Sequence, residues 1–386
     1  MNKNGKPKSW CQYACSDLFN LGFYVLDMVL NVWTVVTFYQ EEAYVFMGVF
    51  LFIMLGSSAV VQAFSWLWFL YDKEENETRP VSFVQSLCPV MVLHLLQMGM
   101  YLRYVDVMRV SKSDMELYAD YMKYDLGILR YFETFLESVP QVVLMTTFFI
   151  QNGEAELITI LKTIGSVSAI AVSLMLYHRY VKQMFFSEKQ DHLSWGPSVV
   201  YFLWNLFLVG SRVGAVALFA SVFPCFIAAH FLSYWMVLCY FAWRLNTDFM
   251  EGAGGECLYR ATIGVIWYFN WFNVIKERSR WYSVLYHIWM GVDIVILCGL
   301  WVWQMKINPP YFALLLNPEV VLGIIVLLYL AGLGLMMIYY KCCHLKIDVY
   351  PREHAGTYKD NVVNERLRNL AENFYYTVDS QMPPVH

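Results

Sequence analysis

Long apolar stretches separated by short polar loops run along most of this chain, and their lengths point to helices that cross a membrane. A spanning helix needs about 20 mostly apolar residues. Stretches of that kind lie at 18–39, 44–70, 81–105, 157–181, 224–245, 257–275, 281–305 and 319–341. Two further apolar stretches contain interruptions. In 124–150, Pro140 follows Arg130, Glu133 and Glu137, and in 197–222 the run is punctuated by Gly210-Ser211-Arg212. A proline removes a backbone donor and clashes with the preceding turn, so both stretches read as broken or re-entrant segments. Such backbone is tolerated at membrane depth only where protein or a wet cavity covers it. The expected fold is an all-α polytopic membrane protein of about eight transmembrane helices plus two re-entrant segments. Residues 1–17 are then a polar N-terminus, 18–345 the transmembrane domain and 346–386 a polar tail.

An even number of spans puts both termini on one side. Lys3, Lys6 and Lys8, then Lys276, Arg278 and Arg280, then Lys341 and Lys346 fall on that side. The opposite loops are expected to hold Glu41-Glu42 and Asp248, Glu251 and Glu256, with Arg109 and Lys112 as an exception there. By the positive-inside rule both termini are cytosolic. The sequon Asn76-Glu77-Thr78 is then cytosolic and stays unmodified.

Composition agrees with a membrane protein: 59% of residues are hydrophobic and 15% charged, against about 25% charged in soluble chains. A net charge of −4 offers no basic footprint for nucleic acid. The cysteines show neither CxxC pairs nor metal-ligand spacing, so no metal, cofactor or disulfide framework is expected. Met1 to Ser9 is polar and basic, and no cleavable signal peptide is read there.

The informative residues are charges placed where charge is costly. Tyr124 to Gln141 carries Asp125, Arg130, Glu133 and Glu137, and helical spacing puts Arg130, Glu133 and Glu137 on one face. A charge at mid-bilayer costs about 2.5–3.5 kcal/mol on insertion scales, so three uncompensated ones approach ~10 kcal/mol. Asp27 and Asn31, four apart on one face, and Arg103, Arg179 and Arg212 also lie within or beside apolar stretches. Lys162, Arg260 and Asp293 stand nearer segment ends or alone, where snorkelling accounts for them. The remainder read either as structural ion pairs, Arg130 or Arg212 against Glu133 or Glu137, or as a hydrated polar track through the bilayer. His94 and His178 read as satisfied polar residues. No nucleophile, HExxH, GxSxG or phosphate loop accompanies Glu133 and Glu137, so catalysis is not expected.

Cys342-Cys343, after the last span, are palmitoylation candidates or ordinary juxtamembrane thiols. Val363, Leu367, Leu370 and Phe374 form the apolar stripe of one amphipathic helix in the tail, fit to dock beneath the membrane domain or on lipid.

Several longer motifs occur in order: QAFSWLWF (62–69), VLHLLQ (92–97), LRYFETFLESVPQ (129–141), YFLWNL (201–206), VALFASVFP (216–224), NTDFM (246–250) and YFNWFNV (268–274). Together they resemble the XK-related family of membrane proteins, over about 18–345, and look most like the apoptosis-linked phospholipid scramblase of that family. The resemblance implies a plasma-membrane scramblase that moves phospholipids, including phosphatidylserine, between leaflets without ATP. It implies a fold of eight spanning and two partly inserted helices. It also implies a single-span immunoglobulin-type chaperone, basigin or neuroplastin, and activation by caspase cleavage of the cytosolic tail. Headgroups would be guided by charged residues, whose matching positions are Asp27, Arg103, Asp125, Arg130, Glu133, Glu137, Arg179 and Arg212. Asn31 and Leu176 stand where the family pattern has aspartate, which alters the path or its pairing. The tail has no DxxD motif; Asp379-Ser380 and Asp360-Asn361 are the cleavage candidates. The rival readings are a secondary transporter, using the same charges as a midplane solute site, and a structural membrane subunit whose charges only lock helices.

Overall fold

The structure, a computed structural model, describes residues 22, 28–75, 90–110, 116–152, 157–185, 195–274, 279–309 and 317–343. Asp27, the sequon at Asn76, the tail helix and the cleavage candidates Asp360 and Asp379 lie outside these residues. The described chain is helical, with no strand among its residues. Six helices are long and apolar enough to cross a membrane: Tyr44–Tyr71, Thr163–Val181, Gly196–Val222, Pro224–Arg244, Trp281–Ile307 and Pro318–Cys342.

Helix α1 (28–40) and α2 (Tyr44–Glu75) form an antiparallel pair joined at Glu41-Glu42. Glu42 takes a left-handed φ of 56° there, while the Ala43 amide reaches back to the Phe38 carbonyl. We call the end of the bundle with this turn the upper end, and the end where α2 finishes the lower end.

The segment after α2 differs from the single span expected over 81–105. It is two short helices, α3 (Val90–Leu95) and α4 (Gly99–Val110), broken at Leu96–Met98. Gln97 has φ 62°, its amide bonds the His94 carbonyl, and the Met98 amide bonds that of Leu93. This is a Schellman closure with a non-glycine at the left-handed position. The chain can turn so sharply because Gly99 has no Cβ: one added there would lie 2.2 Å from Oε1 of Gln62, which instead accepts the Gly99 amide at 3.0 Å. The tip of the hairpin thus rests against the middle of α2.

Helix α5 (Glu116–Glu133), a π-helical turn (Thr134–Ser138) and α6 (Val139–Gln151) follow without a break. The expected interruption at Pro140 is absent. The Val139 amide bonds the Thr134 carbonyl, five residues back, and Pro140 falls in the first turn of α6, where a missing donor costs little. The widened turn takes up the proline without bending the chain out of the helix. Contacts of Phe46 with Phe148, Ser57 with Glu137 and Phe64 with Phe132 set this helix antiparallel to α2, from lower end to upper end.

Helix α7 (Leu157–Phe185) descends, and α8 (Trp195–Val222) ascends parallel to α6, with Thr147 and Gln151 hydrogen-bonded to carbonyls of Ala217 and Ser221. The other expected break, in 197–222, is likewise absent. Ser211 bonds the Leu208 carbonyl, Gly210 lets α7 approach at Val167, and Arg212 is paired inside the bundle. Helix α9 (Pro224–Arg244) descends.

The loop after α9 lies at the lower end, because Nε1 of Trp68, near the end of α2, bonds Sδ of Met250 at 3.3 Å. The acidic loop is therefore at the opposite end from Glu41-Glu42, not beside it. Its NTDFM motif is clamped by Glu256, which accepts from Thr247 and from the amides of Phe249 and Met250. Arg260 joins the same clamp through Thr247 and Glu256, rather than snorkelling.

From that loop α10 (Ala253–Phe269) enters the bundle, packing antiparallel to α9 through Trp235 and the Ala261 carbonyl. Its 17 residues cover about 26 Å, and the span expected over 257–275 stops at Asn270. Backbone there becomes extended, and Nδ2 of Asn270 bonds Oδ1 of buried Asn205 on α8. Nε1 of Trp267 donates to the Phe272 carbonyl, and the Trp267 and Trp271 rings stack at 5.5 Å as the chain turns back. Helix α11 (Ser279–Ile307) ascends and α12 (Pro318–Ile338) descends, linked at the upper end by Lys306 and Glu319 at 2.5 Å. A second π-turn, Tyr339–Cys343, ends the described chain at the lower end. Tyr339 bonds His178 there at 2.7 Å, and His178 stacks on Tyr201.

Candidate functional site

The expected charges fall into two groups. The first is a column along α5, the π-turn and α6. At its lower part Asp125, 1% exposed, stands 3.7 Å from Nη1 of Arg103 on α4. The same guanidinium donates from Nε and Nη2 to the side chain and carbonyl of Ser65 at 2.7 and 2.9 Å, and lies 5.7 Å above the Trp68 ring. His94 also reaches Ser65, at 3.0 Å. The hairpin tip thus delivers its cation to α5 by way of α2.

Higher up, Arg130 donates to Glu133 at 2.6 Å, and both are reachable, with side chains 27% and 13% exposed. The π-turn then carries Glu137, which is buried. Its Oε1 accepts from Asn31 of α1 at 2.7 Å and from Gln141 at 3.3 Å, and its Oε2 from Ser57 of α2 at 2.6 Å. Extra width in a π-turn rotates the following side chains relative to a regular helix, and here it sets Glu137 between α1 and α2. From Asp125 to Glu137 the column rises about 18 Å, more than half of a hydrocarbon core of about 30 Å.

Arg179 is on α7, half-buried, next to Tyr180, which packs against Gly127 of α5. Leu176 lies on the same helix.

Arg212 belongs to a second, separate group. It is buried, paired to Asp293 of α11, and its Nε donates to the Tyr268 carbonyl at 3.0 Å. Asp293 also accepts from Tyr234 at 2.6 Å and faces Nε2 of His230 at 3.2 Å, while Nδ1 of His230 stands 3.0 Å from the Tyr268 hydroxyl. Four helices, α8 to α11, meet in this cluster. Asp293 is therefore a buried partner, not a lone snorkelling residue. The expected partners Glu133 and Glu137 take Arg130 and the amide-hydroxyl set instead. The one signal for His230, Tyr234 and Ser57 in sequence is a hydroxyl or imidazole inside an apolar run, and such residues are common in helices.

Cys342 is exposed at the lower end, in the second π-turn, as a palmitoylation candidate requires; nothing is described of the Cys343 side chain.

Comparison with known proteins gives the family. The profile of the XK-related protein family matches residues 15–345. The chain is 36% identical over 362 residues to XK-related protein 8 of Tetraodon nigroviridis, covering 90% of this chain and 87% of that protein. It is 35% identical over 366 residues to XK-related protein 8 of Gasterosteus aculeatus, covering 91% and 88%. With XK-related protein 8 of Pan troglodytes it shares 33% identity over 373 residues, covering 91% of each. A helical chain with several membrane-crossing helices, matched over nearly all of its length, belongs to the XK-related family of membrane proteins.

Proposed function

We propose that this protein is an energy-independent phospholipid scramblase of the plasma membrane, moving lipids such as phosphatidylserine in both directions. The observation that carries the reading is the column from Asp125 and Arg103 through Arg130 and Glu133 to Glu137. A zwitterionic headgroup cannot enter hydrocarbon cheaply, because burying charge without partners is costly. Fixed charges of both signs replace water along the way, while acyl chains stay in lipid. Arg103, Arg130 and Arg179 suit the phosphate; Asp125, Glu133, Glu137 and Asp27 suit the amine. Asn31 shares the column as a neutral donor. Arg212 acts as a brace between helices, since its contacts are with α10 and α11.

In this reading α1, α2, α5 with α6, α7, α8, α9, α11 and α12 cross the bilayer. The α3–α4 hairpin and α10 enter from the lower end and return to it. That end is cytosolic and carries both termini: among the described residues it gathers Arg109, Arg280 and Lys341. Arg109 is no longer an exception once the hairpin returns to the lower end.

Activation follows caspase cleavage at Asp379 or Asp360, releasing a tail helix that holds the column closed. A single-span partner such as basigin or neuroplastin accompanies the protein to the surface. Purified protein in liposomes, with acyl-labelled fluorescent phospholipid, tests the activity. Scrambling without ATP, increased by tail proteolysis, is expected; none after proteolysis sinks the reading. Uptake of a charged solute without lipid movement would instead identify a transporter.

A further inference from the structure

Arg103 is held on α2 and stands off its carboxylate partner. Its Nε donates to the Ser65 hydroxyl at 2.7 Å and its Nη2 to the Ser65 carbonyl at 2.9 Å. Its Nη1 meets Asp125 only at 3.7 Å, beyond hydrogen-bond reach. A headgroup phosphate can therefore take the donors that Asp125 does not.

The Ser65 hydroxyl serves a second neighbour. Because it accepts from Arg103, its own proton can go to Nε2 of His94, 3.0 Å away. Only a neutral imidazole can accept that proton. Once protonated, His94 donates instead, and two cations converge on one oxygen of a fully buried serine. Like charges so close repel strongly where the dielectric is low. The imidazole has little room to yield. Its ring lies on Gly99, where an added Cβ would be 2.5 Å from Cδ2, and meets the Trp66 ring edge-on at 5.6 Å. Arg103 can yield, because Asp125 stands beside it. Helices α2 and α4 pack on α3. From α4 the charge brought toward His94 is Arg103, with Asp125 of α5 behind it, while Gln62, Ser65 and Trp66 of α2 are neutral.

We propose that Ser65 and His94 are positioning residues for Arg103: with His94 neutral they hold the Arg103–Asp125 pair open to headgroup phosphate, and protonation of His94 shuts it. The inference rests on the scramblase reading, and makes lipid movement fall in acid.

The test uses full-length, tail-proteolysed protein in liposomes with acyl-labelled phosphatidylcholine, whose headgroup keeps its charge throughout. Scrambling is followed by albumin back-extraction at about pH 7.5 and about pH 5.5, either side of the imidazole range. The wild type should slow severalfold at the lower pH. His94→Gln cannot take up a proton, so its rate should not change with pH. Ser65→Ala, which lacks the shared oxygen, should be slow at both. A second readout does not depend on transport. In protein carrying isotope-labelled arginine, the Nε–H resonance of Arg103, identified by its loss in Arg103→Lys, should shift on acidification in the wild type and stay in place in His94→Gln. A wild-type rate indifferent to pH, the same acid slowing in His94→Gln, or an Arg103 resonance that behaves alike in both overturns the proposal. Complete absence of scrambling at both pH values overturns the scramblase reading instead, while the resonance still decides whether His94 positions Arg103.

Discussion

The carboxylates of Asp293 and Glu133 are handled differently, and the difference predicts what each substitution does. Asp293 has a full cation, Arg212, within a closed cluster of four helices. Removing one member strands the other charge in a low-dielectric interior, so Arg212→Met or Asp293→Asn should cost about 3–5 kcal/mol. Thermal unfolding in detergent measures this, and the double replacement Arg212→Met with Asp293→Leu should recover most of the loss. Arg130, by contrast, is partly exposed, and its pair with Glu133 contributes only about 0–1 kcal/mol. Arg130→Gln should leave the melting temperature nearly unchanged but slow scrambling severalfold. If it unfolds the protein instead, Arg130 is a brace and not a contact. The charge list was readable from sequence because charges are rare in apolar runs. The pairings were not, since Arg212 and Asp293 are brought together only by packing of α8 on α11.

At the scale of elements, helix breakers were visible but their consequences were not. Pro140 and Gly210-Ser211 draw attention in sequence, yet both sit inside continuous helices, one because a π-turn absorbs the proline and the other because a tight helix contact uses the glycine. The true breaks are at Gln97 and Asn270, residues without a strong breaking tendency. They depend on tertiary partners, Gln62 for one and Asn205 for the other. The hairpin tip yields a sharp contrast. Gln97→Gly should stabilise by about 1 kcal/mol, because it relieves a left-handed backbone. Gly99→Ala should destabilise by about 1–3 kcal/mol through overpacking against Gln62 and His94. Melting temperatures of opposite sign are the expected outcome; the same sign for both would contradict the hairpin geometry.

For the whole molecule, a polytopic all-helical membrane fold is legible from hydropathy, but the bounds of the individual helices are not. Residues 81–105 and 257–275 read as spans from their apolar length, whereas contacts of Trp68 with Met250 and Phe249 put the loop after α9 at the lower end. Those contacts place Asp248 and Glu41, both exposed, at opposite ends of the bundle. In intact cells expressing a chain without its native cysteines, a membrane-impermeant maleimide should label Glu41→Cys and spare Asp248→Cys until the cells are permeabilised. Labelling of both from outside would return the acidic loop to the extracellular face and contradict the proposed return of α3–α4 and α10 to the lower end.

The central claim, that the Arg103–Asp125 to Glu137 column conducts phospholipid headgroups, is tested most directly by dithionite quenching of acyl-labelled phosphatidylserine in liposomes holding the purified, tail-proteolysed protein. The account predicts quenching beyond the outer-leaflet share without ATP or an ion gradient, and slower quenching when Arg130 and Glu133 are both made glutamine in a protein that remains monodisperse. Quenching that stops at the outer-leaflet share, or that is unchanged in that double variant, would contradict it.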